Sequence, residues 1–175
     1  MDVYVKIRKR IILDFLGYLF ECDNSEGGPR FIVSRRIDAG RYLHALVEYS
    51  YKEVDHDAEC VVFVLPRTSL STAMGKFLFL SSENEGRFND YLEAVFNLDF
   101  DRYWVNGLLL GISKQDIVYA YIQSRKLGED LSIDETLKKR IYRKTARQQQ
   151  FLHKQLLNKA GYHDRLIIDS LKNGI

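Results

Sequence analysis

The chain has 175 residues, of which 46% are hydrophobic and 29% charged, with only two prolines and a formal net charge of +2. This length fits one domain or two small ones, and the composition argues against intrinsic disorder. Two cysteines are too few for a zinc cluster or a secreted disulfide scaffold. The sequence contains no run of about 18 uninterrupted apolar residues, so no membrane span is predicted. We therefore expect a cytoplasmic protein that does not bind membranes.

The first 80 residues predict a small sheet with helices. Apolar residues spaced at helical intervals predict helices over 8–20 and 40–51, and Asp38 is placed to cap the second one. Short alternating or continuous apolar runs predict strands at 3–7, 30–34, 60–65 and 76–80. The last two of these runs are the most apolar, so we expect them to be buried together in one sheet.

Every element predicted after residue 80 is a helix. Three Ser-x-x-acid spacings are typical of helix N-termini, where the hydroxyl and the carboxylate satisfy free backbone N–H groups. The predicted helices cover 82–97, 99–110, 113–126 and about 133–160. The expected fold class is therefore α+β, with an α+β part at 1–80 and a helical part at 81–175 that share one core.

The densest positive charge of the chain lies along one side of the predicted long helix. Between Thr136 and Arg165, nine Lys/Arg stand against one acidic residue. Such asymmetry indicates a polyanionic partner or an acidic protein surface. Five side chains on this side are predicted to hold a phosphate backbone: Lys139, Arg140, Arg143, Lys144 and Arg147.

Two alternatives to phosphate binding apply to this long helix. Lys and Arg on an exposed helix are often only solvated, with their stems covering apolar surface. The helix also carries an apolar stripe, which includes Ile133, Leu137 and Ile141 and continues to Leu156. That stripe could pair with a partner protein or with a second copy in a homo-oligomer.

Residues 99–126 resemble a DNA-binding helix-turn-helix. Small or apolar residues carry the resemblance at the helix crossing, in the turn, behind the turn and facing back from the second helix: Gly107, Gly111, Ile112 and Ile117. Such a unit lays its second helix in the major groove, so Lys114 and Gln115 are predicted to add contacts, with Tyr119 one turn on. The second helix is, however, apolar or aromatic nearly all the way round, which favours the alternative of a hairpin buried in the core.

No catalytic or metal-binding pattern is found in the sequence. The nearest cluster is Asp55-His56-Asp57 with Cys60, which lacks the further histidines of metal-dependent HD-type phosphohydrolases, so a polar loop is predicted. Asp99 is predicted to cap the helix that follows it rather than to bind magnesium. We therefore expect no catalytic residue, metal or cofactor.

Three motifs between Phe96 and Arg147 carry a resemblance to a protein family. They read F-x-L-D-F-x-R-Y, K-x-D-I-V-x-x-Y-I-x-S-R-x-L and L-K-K-x-I-Y-R-K. In these motifs the chain resembles small, uncharacterised proteins of gut Bacteroidetes and their prophage-like elements. The resemblance implies an accessory protein of a mobile element and assigns no chemistry to any residue.

Taken together, the sequence predicts a non-enzymatic nucleic-acid-binding or regulatory protein. The alternative is a protein–protein interaction or oligomerisation module that uses the long amphipathic helix. The two differ in what drives binding, because phosphate contacts depend steeply on salt and apolar helix packing does not.

Overall fold

The computed structural model describes residues 1–23, 29–66, 77–128 and 131–143, the last range with side chains only for 133–141. The fold is α+β, with its strands in the first half of the chain. In the described residues the elements are β1 (Asp2–Val5), α1 (Arg10–Leu19), β2 (Glu21–Asp23), β3 (Arg30–Ile32), α2 (Asp38–Leu46), β4 (Glu48–Ser50), β5 (Val61–Val64), β6 (Phe77–Phe79), α3 (Ser82–Leu109), α4 (Lys114–Ser124) and α5 (Leu131–Arg143). None of these helices is long and apolar enough to cross a membrane.

The larger sheet has four strands in the order β1-β5-β3-β2. β5 lies inside the sheet, antiparallel to β1 and parallel to β3, while β2 is an antiparallel edge strand. Phe63 of β5 is paired with Val3 on one side and with Phe31 on the other, and all three side chains are buried. Because side chains alternate along a strand, this register directs one face of the sheet into the core.

A second, two-stranded sheet corrects two predictions. The run 76–80 is predicted as a buried strand beside 60–65, but β6 pairs with β4 in a separate antiparallel sheet, and Phe77 is 41% exposed. β4 in turn occupies residues predicted as the end of the helix over 40–51. The carboxylate of Glu48 accepts hydrogen bonds from the Ser81 hydroxyl at 2.5 Å and the Asn84 amide at 2.9 Å. These tertiary contacts favour the strand over continued helix.

Helix α3 runs without a break through the position where the sequence predicts a new helix to start at Asp99. The Asp99 carboxylate does not act as a cap, because it accepts two hydrogen bonds from the Arg125 guanidinium, at 2.8 Å from Nε and 3.1 Å from Nη2. An acidic residue inside a helix therefore serves as a tertiary anchor.

The residues group into two compact units. The first comprises Met1–Asp101 with Ala120–Glu129, and the second contains Arg102–Tyr119 and α5. The core of the first unit is rich in aromatic rings that meet edge to face or tilted: Phe15, Phe20, Phe31, Phe63, Phe88 and Phe96. The predicted division at residue 80 around one shared core stays a prediction.

Candidate nucleic-acid interface

The second unit contains a helical hairpin formed by the end of α3 and the start of α4. Gly111 has a φ of 73°, in the left-handed region that favours glycine. A Cβ added at Gly107 would lie 2.6 Å from Cγ1 of Ile117, so the crossing requires glycine there. The predicted roles of these three residues are confirmed.

Ile112 does not take its predicted place behind the turn. Its side chain is 42% exposed, and Leu109 and Leu110 beside it are 50% and 77% exposed. Ile117, which is 1% exposed and lies directly against Gly107, already closes the helix crossing. The turn thus presents apolar side chains to solvent.

The N-terminus of α4 is capped as the sequence predicts. The Ser113 hydroxyl donates to the Asp116 carboxylate at 2.6 Å and accepts from the Asp116 backbone N–H at 3.2 Å. Lys114 and Gln115 are exposed in the first turn. Within the described part of the chain, neither side chain is held by a hydrogen bond or an ion pair, so both are available to a ligand.

Helix α4 is buried on one side and open on the other. Ile117 and Val118 are 1% and 2% exposed, whereas Tyr119 is 67% exposed. The predicted packing of this helix is confirmed for Ile117 and Val118, while its first turn and Tyr119 are exposed to solvent. The exposed residues at the start of α4 are Lys114, Gln115, Asp116 and Tyr119.

Helix α5 is amphipathic in its described part. Ile133 and Leu137 are 3% and 0% exposed. Lys139 is exposed and pairs with Glu135 one turn earlier at 3.2 Å, and Arg140 is half-buried. The basic residues of α5 therefore lie outside its buried stripe, as the sequence predicts.

Five of the seven predicted nucleic-acid-binding residues lie in the described part of the second unit. Lys114 and Gln115 are on α4, and Lys139 and Arg140 are on α5. Arg143 ends α5 without a described side chain, and the other two predicted residues, Lys144 and Arg147, lie outside the described residues.

Charge is divided unequally between the two units. Among the described residues, the second unit has six Lys/Arg against three Asp/Glu, and the first has 12 against 16. The unit that holds the hairpin and α5 is thus net positive, while the first unit is net negative. The sequence already indicates this asymmetry, but it does not show that the hairpin belongs to the basic unit.

A polar cleft of about 210 Å³ lies in the first unit and includes the Asp55–Asp57 segment. Lys6 of β1 forms ion pairs with Glu59 at 2.7 Å and Asp57 at 2.9 Å. Hydrogen bonds to these two carboxylates raise the pKa of Lys6, and the Lys6 ammonium lowers the pKa of Asp57. The Asp57 carboxylate of this segment is therefore held by an ion pair within the unit.

The same cleft contains a thiol and an imidazole without an arrangement for catalysis. Burial raises the pKa of the Cys60 thiol, which keeps it protonated and unreactive. The His56 ring stacks on Tyr4 with centroids 3.5 Å apart. Within residues 1–23, 29–66, 77–128 and 131–143, no His, Cys, Asp and Glu side chains are grouped to hold a metal ion. The cleft thus offers no activated nucleophile.

No protein-family model matches the chain, and neither a curated protein nor a solved structure matches it. The resemblance to proteins of gut Bacteroidetes and their prophage-like elements therefore stays a prediction. Charge, exposure and the geometry of the hairpin are the observations on which a function can be based.

Proposed function

We propose that the chain is a non-enzymatic nucleic-acid-binding protein, a cytoplasmic regulatory or accessory factor that holds the phosphate backbone through its second unit. The observation that carries this proposal is the net positive charge of the unit that also holds the open hairpin. The residues assigned to the backbone are Lys139, Arg140, Arg143, Lys144 and Arg147, with further contacts from Lys114 and Gln115.

The ion pair between Lys139 and Glu135 does not prevent phosphate binding. Lys139 and Glu135 are four residues apart on an exposed helix surface, where such a pair contributes only about 0.3 to 0.5 kcal/mol. A phosphate can replace the carboxylate, and each neutralised phosphate releases condensed counterions. Lys114, at the exposed start of α4, supplies a further cation.

Burial on α5 favours nucleic acid over the alternative of an interaction module built on the long helix. That alternative needs an open apolar stripe on which an acidic protein surface or a second copy can pack. Ile133 and Leu137 are already buried. In its described part, α5 therefore has its main apolar residues covered, whereas Lys139 is exposed on its surface.

The proposal is tested by fluorescence anisotropy with labelled DNA of mixed sequence, single-stranded and duplex, at two salt concentrations. About six phosphate contacts give a slope of log affinity against log salt of about −5 on duplex and about −4 on a single strand. If the protein binds neither DNA form at low salt, the proposed function is wrong.

Charge reversal locates the contacts. Lys139→Glu with Arg140→Glu should weaken binding and reduce the salt slope by about two, because each lost phosphate contact removes about one. Arg36→Glu with Lys52→Glu is the matched control, since it makes the same change in net charge at exposed positions of the first unit. Equal weakening by both pairs would show that only net charge matters, and would contradict an interface on α5.

A further inference from the structure

The exposed side of the hairpin carries apolar and aromatic side chains beside Lys114, Gln115 and Asp116. Leu109, Leu110 and Ile112 are 50%, 77% and 42% exposed, and Tyr119 is 67% exposed. No charged residue occurs between Arg102 and Lys114, although 29% of the chain is charged. We propose that this side of the hairpin binds unpaired bases of a single-stranded nucleic acid, an inference that rests on the proposed function.

A duplex does not suit this surface. The major groove presents hydrogen-bonding base edges and only the thymine methyl as an apolar group, and its rims are phosphates. Leu109 and Leu110 would desolvate these polar groups without offering them a hydrogen bond, which is unfavourable. Unpaired bases instead expose their faces, whose burial against Leu, Ile and Tyr side chains removes apolar surface from water.

Tyr119 is placed to act as a stacking platform. Its neighbours Ile117 and Val118 are buried, so the backbone that carries the exposed ring is packed against the rest of the unit. In the described part of the chain no other ring contacts it. Gln115 lies four residues earlier on the same face of α4 and can hydrogen-bond the edge of a stacked base, while Lys114 can reach its phosphate.

Charge favours nucleic acid over a second copy of the chain as the occupant of this surface. The described residues of each second unit are net positive, which opposes the approach of two such units, while Lys114 and Asp116 of the hairpin offset each other. A polyanion with apolar base faces complements both the basic charge and the exposed apolar residues.

The test compares a labelled single strand of mixed sequence with its duplex of equal length, by anisotropy at one low salt concentration. We expect the single strand to bind more tightly than the duplex. Tyr119→Ala should weaken single-strand binding by about 5- to 150-fold per stacked base and leave duplex binding unchanged. Tyr119→Phe, which keeps the ring, should restore single-strand binding. Tyr51→Ala, at a tyrosine that is 79% exposed in the first unit, is the matched control and should have no effect.

Three outcomes would overturn the inference. The duplex could bind as tightly as the single strand, or Tyr119→Ala could leave single-strand affinity unchanged. Light scattering could also show a dimer that Leu110→Asp converts to a monomer with unchanged single-strand affinity, which would assign the surface to a second copy. In each case the proposed function stands if Lys139→Glu with Arg140→Glu still weakens binding. If the wild-type protein binds neither the single strand nor the duplex, both the proposed function and this inference are wrong.

Discussion

Arg125 anchors the residues after α4 to two other helices of the first unit. Its guanidinium forms two hydrogen bonds with Asp99 of α3 and lies 4.2 Å from the ring centroid of Tyr18 of α1. The side chains of Arg125 and Asp99 are only 16% and 25% exposed. The hydrogen bonds to Asp99 raise the pKa of Arg125, and burial raises the pKa of the neighbouring Tyr121 hydroxyl. The Arg125–Asp99 ion pair is therefore partly shielded from water, and its two hydrogen bonds fix its geometry in addition to the attraction between the charges.

Removal of the Asp99 charge should destabilise the protein. Asp99→Asn leaves the Arg125 guanidinium largely buried without its counter-ion, and we expect a loss of about 2 kcal/mol in the free energy of unfolding in urea. The control is Glu83→Gln, which breaks the exposed ion pair with Arg87 and should cost less than about 0.5 kcal/mol. Equal losses for the two variants would contradict an anchoring role for Asp99.

The crossing of α3 and α4 depends on the absence of a side chain at Gly107. A Cβ there would lie 2.6 Å from Cγ1 and 2.7 Å from Cδ1 of Ile117, which is buried and cannot move aside freely. Gly107→Ala should therefore lower the free energy of unfolding by about 1 to 3 kcal/mol despite the better helix propensity of alanine. Thermal and urea unfolding followed by circular dichroism would measure the change.

Two matched variants separate this clash from a general effect of glycine. Gly17 lies in α1 with no atom within 4 Å of an added Cβ, so Gly17→Ala should stabilise the protein by about 0.5 to 1 kcal/mol. In an Ile117→Ala background, Gly107→Ala should cease to destabilise, because the clashing atoms are gone. A loss that persists in that background would show that the helices do not cross at Gly107.

The elements that the sequence predicts well are those fixed by local patterns. α1 (Arg10–Leu19) is close to the predicted 8–20, because its apolar spacing needs no distant partner. The predicted break in α3 fails because Asp99 is bound by Arg125, 26 residues away in the chain. β4 is missed for the same reason, since Glu48 bonds to groups that follow it by more than 30 residues.

The candidate interface shows the same limit of sequence reasoning. The Ser113–Asp116 spacing predicts a helix start, which places Lys114 and Gln115 in an exposed first turn. Exposure of Leu110 could not be predicted, because apolar residues are usually interior and the open side of a hairpin depends on tertiary packing.

At the scale of the whole molecule, the two compact units are not consecutive stretches of chain. α3 and α4 each contribute residues to both units. α3 is one helix of 28 residues, so its backbone hydrogen bonds continue from the first unit into the second. Because helix formation is cooperative along the chain, loss of one unit removes part of a helix that the other unit needs.

We therefore expect the two units to unfold in a single transition. Trp104, the only tryptophan of the chain, is 3% exposed in the second unit and reports on that unit by fluorescence. Leu16→Ala in the core of the first unit should cost about 2 to 5 kcal/mol and lower the midpoint by about 2 to 4 °C per kcal/mol. The midpoints from Trp104 fluorescence and from circular dichroism should fall together. A Trp104 transition that keeps its wild-type midpoint would contradict the coupling and show that the second unit folds without the first.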